Sequence, residues 1–292
     1  AEERRSGGKG DHATRNTQHT VSYPMSYAQW NTMISSATAQ IQAGAFQKVV
    51  LSRVCEIRFD ADVAVDQAIA YLNETYPECY RFLFEPRPHH AFYGATPELL
   101  VQMNGREIAT MGLAGSAPRG QTAAADTQLA NDLLASEKNQ HEHRLVVDSI
   151  RRRLTPLTAA LEIPAEAQIY TLSNIHHLYT PIHGTLKNDT GILSLLKYMH
   201  PTPALGGTPR DVAMGFIQAA EPVTRGWYAA PVGWLDHKLD GVFGVAIRSA
   251  VAQNNRVWAY AGVGVVGQSD PAEEWRETEV KFRPMLHSLG IE

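Results

Sequence analysis

The sequence predicts an α+β fold built on antiparallel sheets, because its strand-like and helix-like runs are grouped along the chain instead of alternating. Three apolar runs near the C-terminus, at residues 231–235, 241–252 and 256–262, are joined by Asp-Gly and Asn-Asn turn residues, as in an antiparallel meander. A doubly wound parallel sheet needs strands and helices in alternation. We therefore expect antiparallel sheets in this chain.

The first half of the chain begins with a polar segment and ends with a long helical pattern. Residues 1–22 are charged and Gly-rich without a hydrophobic period, which predicts a flexible tail or linker and leaves 23–292 as one domain. The predicted elements that follow are a helix at 27–43, a strand at 49–57, a helix at 62–73, strands at 81–84, 91–93, 99–103 and 107–111, and a helix at 124–154.

The second half repeats this mixture of elements. A strand-rich stretch covers 168–186, helical patterns cover 191–199 and 210–219, and the three-stranded meander follows. The last helix begins at Pro271, a residue type that suits the first turn of a helix.

Composition excludes several classes of function. The formal net charge of −4 provides no basic surface for nucleic acid. No run approaches the roughly 18 apolar residues of a membrane span, so no membrane association is expected. The two cysteines lack CxxC spacing, which argues against a zinc ribbon or a disulfide framework and favours a reducing, cytoplasmic setting.

Two acidic stretches far apart in the chain predict the halves of one Mg²⁺ site. Glu142 lies in the long helical pattern, and Glu274 and Glu277 lie three residues apart in the last helix, which places both on one helix face. Mg²⁺ prefers a few carboxylate oxygens and keeps several waters. Taken alone, such charged spacing more often marks a solvated helix face.

The segment 262–267 has the letters GxGxxG, which suggests a dinucleotide-binding loop. The context does not fit, because Asp270-Pro271 delays the helix and too little chain remains to complete a βαβ unit. The glycines are better explained by a backbone that comes close to a bound anion at the start of the final helix.

Eight short phrases occur in order over about residues 46–282, and together they resemble the chorismate-utilising enzymes, a family of isochorismate, salicylate, anthranilate and aminodeoxychorismate synthases. The phrases are FQKVVLSR at 46–53, GATPELL at 94–100, SEK and EH within 136–143, HPTPALGG at 200–207, RGWY at 225–228, AIRS at 246–249, AGVG at 261–264, and SDP, EWRET and Lys within 269–281. The resemblance implies a single α+β domain in which antiparallel sheets pack face to face, with helices outside and the active site in a cleft between them.

The resemblance also implies a reaction and its residues. Isochorismate synthases add water at C2 of chorismate while hydroxide leaves from C4, which needs a base and an acid. Lys48 corresponds to the base, a role that needs the neutral amine, and Glu98 to the acid, which an apolar pocket should hold neutral. The other implied positions are Glu142, Glu277 and Glu274 for Mg²⁺, the last directly or through water, and Tyr228, Arg248, Lys281, His177, Ala204, Leu205 and the backbone of Gly262 and Gly264 for substrate.

Within the family, the phrases PALGG and RGWYAAPVGW most resemble isochorismate synthases, particularly those that feed menaquinone synthesis. No amidotransferase subunit is then expected, and we expect a monomer or weak homodimer. Two alternatives stay open. A salicylate synthase would eliminate pyruvate from isochorismate in the same site. The second alternative is a truncated chorismate-binding protein without activity of its own. It stays open because the resemblance begins near residue 27 and family members are longer at the N-terminus. A menaquinone and a siderophore pathway remain equally open.

Overall fold

The computed structural model of the protein describes residues 18–291. Residues 1–17 of the predicted tail lie outside this range. The rest of that tail differs from the prediction, because His19–Ser22 form a strand, β1, that pairs antiparallel with residues 56–59. Backbone pairing, and not an apolar pattern, orders this exposed segment, so no hydrophobic periodicity marks it.

Fourteen strands and seven helices make up the described range. The strands after β1 are β2 (Lys48–Phe59), β3 (Tyr80–Arg87), β4 (His90–Thr96), β5 (Leu99–Asn104), β6 (Glu107–Pro118), β7 (Thr158–Glu162), β8 (Gln168–Thr171), β9 (Ile175–Leu186), β10 (Gly207–Thr208), β11 (Pro231–Leu235), β12 (Gly241–Val245), β13 (Ser249–Gln253) and β14 (Arg256–Val265). The helices are α1 (Tyr27–Gln42), α2 (Val65–Thr75), α3 (Ala123–Ala135), α4 (Glu137–Leu154), α5 (Ile192–Met199), α6 (Arg210–Ala220) and α7 (Pro271–Ser288).

The strands form two antiparallel sheets of seven strands each. The first sheet has the order β1-β2-β14-β13-β4-β3, with β10 also paired to β2, and the second has the order β11-β12-β5-β6-β9-β7, with β8 also paired to β9. One apolar core contains residues of both sheets, such as Val54 and Tyr260 of the first and Leu100 and Ile108 of the second. The predicted α+β class with sheets packed face to face is confirmed.

Helices pack against both sheets. Helices α1 and α6 share an apolar core with β2 and β14, and α2 and α7 share another with β2, β4, β13 and β14. Helices α4 and α5 pack against the second sheet. Within the described range, no helix combines the length and the apolar character that a membrane crossing requires.

The prediction of one helix over 124–154 is wrong, because the helix is interrupted at Ser136. This residue has extended backbone angles, φ −70° and ψ 110°, and its hydroxyl accepts a hydrogen bond from Asn139 N at 3.3 Å. Ser136 thus ends α3 and caps the N-terminus of α4. The new axis places Glu142 beside β2.

The prediction of one strand over 241–252 is also wrong. The chain leaves the second sheet at the end of β12 and enters the first at the start of β13, and residues 246–248 make the crossing. Arg248 has φ +50°, a left-handed conformation that is uncommon for a side-chain-bearing residue. A second direct crossing, at Pro97-Glu98, joins β4 to β5, and Val245 N donates to Glu98 O at 3.0 Å between the two crossings.

Candidate active site

One cleft, lined from both sheets, contains all the predicted site residues except Glu274. Those that line it are Lys48, Glu98, Glu142, His177, Ala204, Leu205, Tyr228, Arg248, Gly262, Gly264, Glu277 and Lys281. Phrases that are dispersed along more than 230 positions of the chain thus meet in one place. The two sheet crossings supply Glu98 and Arg248.

Strand β14 has an uncovered edge that opens the cleft to α7. Strand β13 begins at Ser249, opposite Tyr260, whereas the pairing of β14 with β2 continues to Val265. The carbonyl of Gly262 on this free edge accepts a hydrogen bond from Lys281 Nζ at 3.0 Å. Side chains of α7 therefore reach the cleft beyond the first residue of β13.

Lys48 and Glu142 form a buried ion pair at the base of the cleft. Lys48, the first residue of β2, is 1% exposed, and its Nζ lies 2.9 Å from Glu142 Oε1 on α4. Gly264 of β14 lies beside this pair, and a Cβ there would overlap Glu142 Oε1 and approach Lys48 Cε to 2.8 Å. The absence of a side chain at position 264 is thus what makes room for the pair.

Glu98 is a buried carboxyl group at the first sheet crossing. Burial raises the pKa of Glu98 to about 7, although the positive charges of Lys48, Arg248 and Lys281 act in the opposite direction. A carboxyl group with this pKa is substantially protonated near neutral pH. The direction of the shift is the one that a general acid needs.

A hydrogen-bonded chain fixes the tautomer of His177 and the direction of Arg248. The guanidinium of Arg248 lies 3.1 Å from His177 Nε2, and because it can only donate, Nε2 must accept. The proton of the ring is then on Nδ1, within 3.0 Å of Ser116 Oγ and 3.2 Å of the Gly115 carbonyl. Burial and the Arg248 charge hold the pKa of His177 well below its usual value, so the ring is neutral.

Tyr228 presents its hydroxyl to the cleft next to Gly262. Its ring stacks on Tyr260 with centroids 5.1 Å apart, and a Cβ at Gly262 would lie 2.8 Å from the Tyr228 hydroxyl. Burial raises the pKa of Tyr228 to about 12, so the phenol keeps its proton and can donate it to a bound anion.

Helix α7 contributes carboxylates of two different environments. Glu277 Oε1 lies 2.5 Å from Lys281 Nζ. Burial favours a high pKa for Glu277, but the Lys281 ammonium, the Lys138 charge and a hydrogen bond from Ser116 together outweigh it and lower the pKa below its usual value. Glu274 Oε1 lies instead 2.8 Å from Lys138 Nζ, outside the residues that line the cleft, and burial together with the Glu277 charge raises the pKa of Glu274 to about 7.

Each of the three predicted Mg²⁺ ligands, Glu142, Glu274 and Glu277, forms an ion pair with a lysine. Among residues 18–291, no three His, Cys, Asp or Glu side chains are near enough to hold one metal ion together. The chemistry of the donors nevertheless fits, because all are carboxylates. The negative charge of Glu277 repels that of Glu274 and so contributes to the raised pKa of Glu274. A divalent cation bound between the two carboxylates would relieve this repulsion.

Sequence reasoning missed an ion pair that joins three parts of the cleft. Arg225 NH1 donates to the Leu205 carbonyl at 2.8 Å, and NH2 donates to the Val50 carbonyl and to Glu221 Oε1, both at 2.6 Å. The same Glu221 oxygen accepts Ser52 N at 2.7 Å. The pair thus takes the place of a strand on the edge of β2 between β10 and β1. Its signal in the sequence is an i,i+4 Glu-Arg spacing that ends at the RGWY phrase.

Ser116 was also missed as a cleft residue. It lines the cleft beside the β6 bulge, and its hydroxyl contacts His177 and lowers the pKa of Glu277 through a hydrogen bond. Isolated serines carry no signal of their own in a sequence, and the bulge that turns this one inward depends on Gly115 at φ +80°.

A family comparison agrees with this geometry. The family model described as chorismate binding enzyme matches residues 3–290. The chain belongs to this family. The resemblance inferred from the eight phrases is thereby confirmed, and the cleft is the candidate active site of a chorismate binding enzyme.

Individual relatives are isochorismate synthases by name. The chain is 42% identical over 262 residues to the salicylate biosynthesis isochorismate synthase of Pseudomonas aeruginosa, with 90% of this chain and 55% of that protein covered. It is 37% identical to isochorismate synthase MenF of Bacillus subtilis, with 90% and 56% covered. The solved structure of the menaquinone-specific isochorismate synthase MenF of Escherichia coli matches with a TM-score of 0.86 and 33% identity, with 94% and 63% covered. The chain thus spans little more than half the length of these two curated relatives.

Proposed function

We propose that this chorismate binding enzyme is an isochorismate synthase, which adds water at C2 of chorismate while the C4 hydroxyl leaves. The observation that carries the proposal is the meeting of two buried groups of opposite character, Lys48 and Glu98, in one cleft. The amine of Lys48 provides a base, and the carboxyl group of Glu98, whose pKa burial raises, provides an acid within the same site. The isochorismate synthases to which the chain is 37–42% identical support the same reaction.

In the proposed reaction, Lys48 in its neutral form accepts a proton from the attacking water, whose oxygen forms the new bond to C2. Both double bonds of the ring shift by one position, the C4–O bond breaks, and Glu98 donates its proton to the departing hydroxyl, which leaves as water. Arg248 and Tyr228 bind the enolpyruvyl carboxylate, because a guanidinium held by neutral His177 and a protonated phenol are both hydrogen-bond donors. Lys281 adds positive charge nearby.

Mg²⁺ is part of the proposal, with Glu142 and Glu277 as ligands and Glu274 as a further ligand, directly or through water. When bound, the cation neutralises the ring carboxylate and the charge that develops near it. For Glu142 and Glu277 to serve, each must exchange its lysine for the cation. The chain's own contribution is a set of carboxylates, buried for Glu142 and Glu274 and partly exposed for Glu277, with no competing nitrogen or sulfur ligand among them.

The proposal includes no amidotransferase subunit, and it takes the protein to be a monomer or weak homodimer in the cytoplasm. Water, and not ammonia, is the nucleophile.

The deciding experiment is chromatography of the products formed from chorismate by the purified chain, with Mg²⁺, with a chelator, and without ammonia. Isochorismate in an equilibrium mixture with chorismate, lost on chelation, is the expected result. Salicylate and pyruvate would assign the second, eliminating reaction to the same site. Binding of chorismate without turnover would instead contradict the proposal and favour a chorismate-binding protein that is inactive on its own.

A further inference from the structure

Arg53 carries a buried charge that the proposed reaction does not use. Alternate residues of β2 face opposite ways, so Lys48 and Val50 line the cleft while Arg53 faces the outer helices. Arg53 is 2% exposed, and its guanidinium carbon lies 3.6 Å from the centre of the Trp275 ring on α7. Its Nε donates to Thr278 Oγ1 at 2.6 Å.

The remaining nitrogens of this guanidinium make its burial unfavourable by itself. NH1 and NH2 of Arg53 have no hydrogen-bond partner in the part of the chain that the structure describes. An unpaired polar group in such a place costs free energy that an apolar side chain of similar size would avoid. Stability alone therefore does not explain an arginine at this position, whereas a directional contact with α7 does.

Apart from the Tyr23 ring, whose centre lies 5.0 Å from the guanidinium carbon, the contacts of Arg53 lie on one face of α7, and the cleft residues lie on the adjacent face. Trp275, Thr278 and Phe282 surround the guanidinium, with ring centres at 3.6 Å for Trp275 and 5.0 Å for Phe282. Each of these residues directly follows one of Glu274, Glu277 and Lys281. One residue is a rotation of about 100° in an α-helix, so the two stripes turn together as one rigid unit.

Arginine can set this rotation more sharply than an apolar residue can. A planar guanidinium requires a ring parallel to it and an acceptor in its own plane, whereas an apolar contact tolerates sliding. A rotation of α7 that separated Arg53 from Trp275 and Thr278 would also move Glu277 and Lys281 relative to β14. The carbonyl of Gly262, which accepts from Lys281, is the point in the cleft that would lose its partner.

We propose that Arg53 is a positioning residue that fixes the rotation of α7 and thereby places Glu277 and Lys281 in the cleft. The consequence for turnover rests on the proposed isochorismate synthase function, but the placement of the two side chains does not. Arg53 contacts no substrate in this proposal and acts only through α7.

The test compares Arg53→Met and Arg53→Lys with Arg283→Met, a matched substitution at an exposed position of the same helix. Mg²⁺ affinity and chorismate affinity are measured by calorimetry, kcat and KM by product formation, and folding by thermal unfolding. In the folded Arg53→Met variant we expect Mg²⁺ and chorismate to bind about 10–100-fold more weakly, as when groups that orient metal ligands are removed. Arg53→Lys should recover only part of this loss, and Arg283→Met should match the wild type.

Thr278→Val and Thr278→Ser keep the test valid if Arg53→Met fails to fold. The valine variant removes the hydroxyl that accepts from Arg53 Nε and donates to the Trp275 carbonyl, and the serine variant restores both hydrogen bonds. A folded Arg53→Met or Thr278→Val protein that binds both ligands within twofold of the wild type would overturn the proposal, because lowered stability alone would leave these affinities intact. A wild type that binds both ligands without turnover would contradict the proposed function only, since the affinities of the variants still report on Arg53.

Discussion

Lys48 Nζ and Glu142 Oε1 lie 2.9 Å apart with side chains that are 1% and 10% exposed, so the amine that we assign as the base is held by a carboxylate that we assign to the cation. The strand that carries Lys48 and the helix that carries Glu142 belong to different layers of the fold. Their contact depends on the absence of a side chain at Gly264. The state of this pair and the occupancy of the cation site are therefore linked.

Gly264→Ala should inactivate the enzyme while leaving it folded. The added Cβ overlaps Glu142 Oε1 and lies 2.8 Å from Lys48 Cε, so one partner must leave the pair. We expect kcat/KM for chorismate to fall by at least about 100-fold, the scale of a displaced general base. Gly267→Ala is the control, because a Cβ there meets nothing nearer than 3.5 Å. Full activity of the Gly264→Ala protein would show that the pair has no part in turnover.

Lys48→Ala should abolish water addition and spare chorismate binding. The substitution removes the assigned base, whereas the donors to the enolpyruvyl carboxylate, Arg248 and Tyr228, stay in place. We expect kcat to fall by about 100- to 10,000-fold with little change in the calorimetric affinity for chorismate. Near-normal turnover by this variant would refute the assignment of Lys48.

The pH dependence of kcat/KM should report the ionisation of Glu98. Because burial raises its pKa to about 7, the acid form is present below that pH, and activity should fall about tenfold for each unit above it. Glu98→Gln keeps the shape but cannot donate the proton, and it should be inactive across the range. An alkaline limb that persists unchanged in a residually active Glu98→Gln protein would assign the limb to another group.

The same pKa of Glu98 predicts the sign of a stability change. The pKa is raised above the ordinary value of 4.5, so the folded protein binds this proton more tightly than the unfolded chain does. The contribution of Glu98 to stability is complete below pH 4.5 and is lost as the pH rises to about 7. Urea unfolding of the wild type and Glu98→Gln at both ends of this window measures the difference, which should vanish in the variant.

Glu221→Gln should loosen the contact between Leu205 and β2. The variant weakens a buried charged hydrogen-bond network, so we expect a loss of about 2–3 kcal/mol in the free energy of unfolding and a higher KM for chorismate. Asp148→Asn is the control, because its ion pair with Arg151 is half exposed and should contribute under about 1 kcal/mol. Equal unfolding curves for the two variants would contradict the bridging role of Glu221.

Most of the cleft could be predicted because its residues belong to phrases that mark the ends of elements and the sheet crossings. The phrase at 94–100 covers the crossing that carries Glu98, and the phrase at 246–249 covers the one that carries Arg248. The contacts of Arg225 could not be predicted, because its partners are far away in sequence: Leu205 is separated from it by 20 residues and Val50 by 175. Hydrophobic periodicity carries no information about such pairs.

Two differences between expectation and structure have local causes. The helical pattern over 124–154 continues through Ser136. A serine whose hydroxyl accepts from the backbone N–H three residues later is, however, a known signal for the start of a helix, and here this cap outweighs the periodicity. The spacing of Glu274 and Glu277 correctly placed both near one face of α7. Three residues nevertheless fall about 60° short of a full turn, which is enough to direct Glu274 to Lys138 instead of the cleft.

The two sheet crossings mean that the backbone itself links the two sheets at the site. The covalent chain passes from one sheet to the other at Pro97-Glu98 and at residues 246–248. The backbone hydrogen bond from Val245 N to Glu98 O connects these two crossings. Separation of the sheets would distort the two crossings, which carry the proposed acid Glu98 and the proposed substrate ligand Arg248. Entry and exit must then depend on side chains at the mouth, whose rotamer changes are far faster than the movements of whole layers.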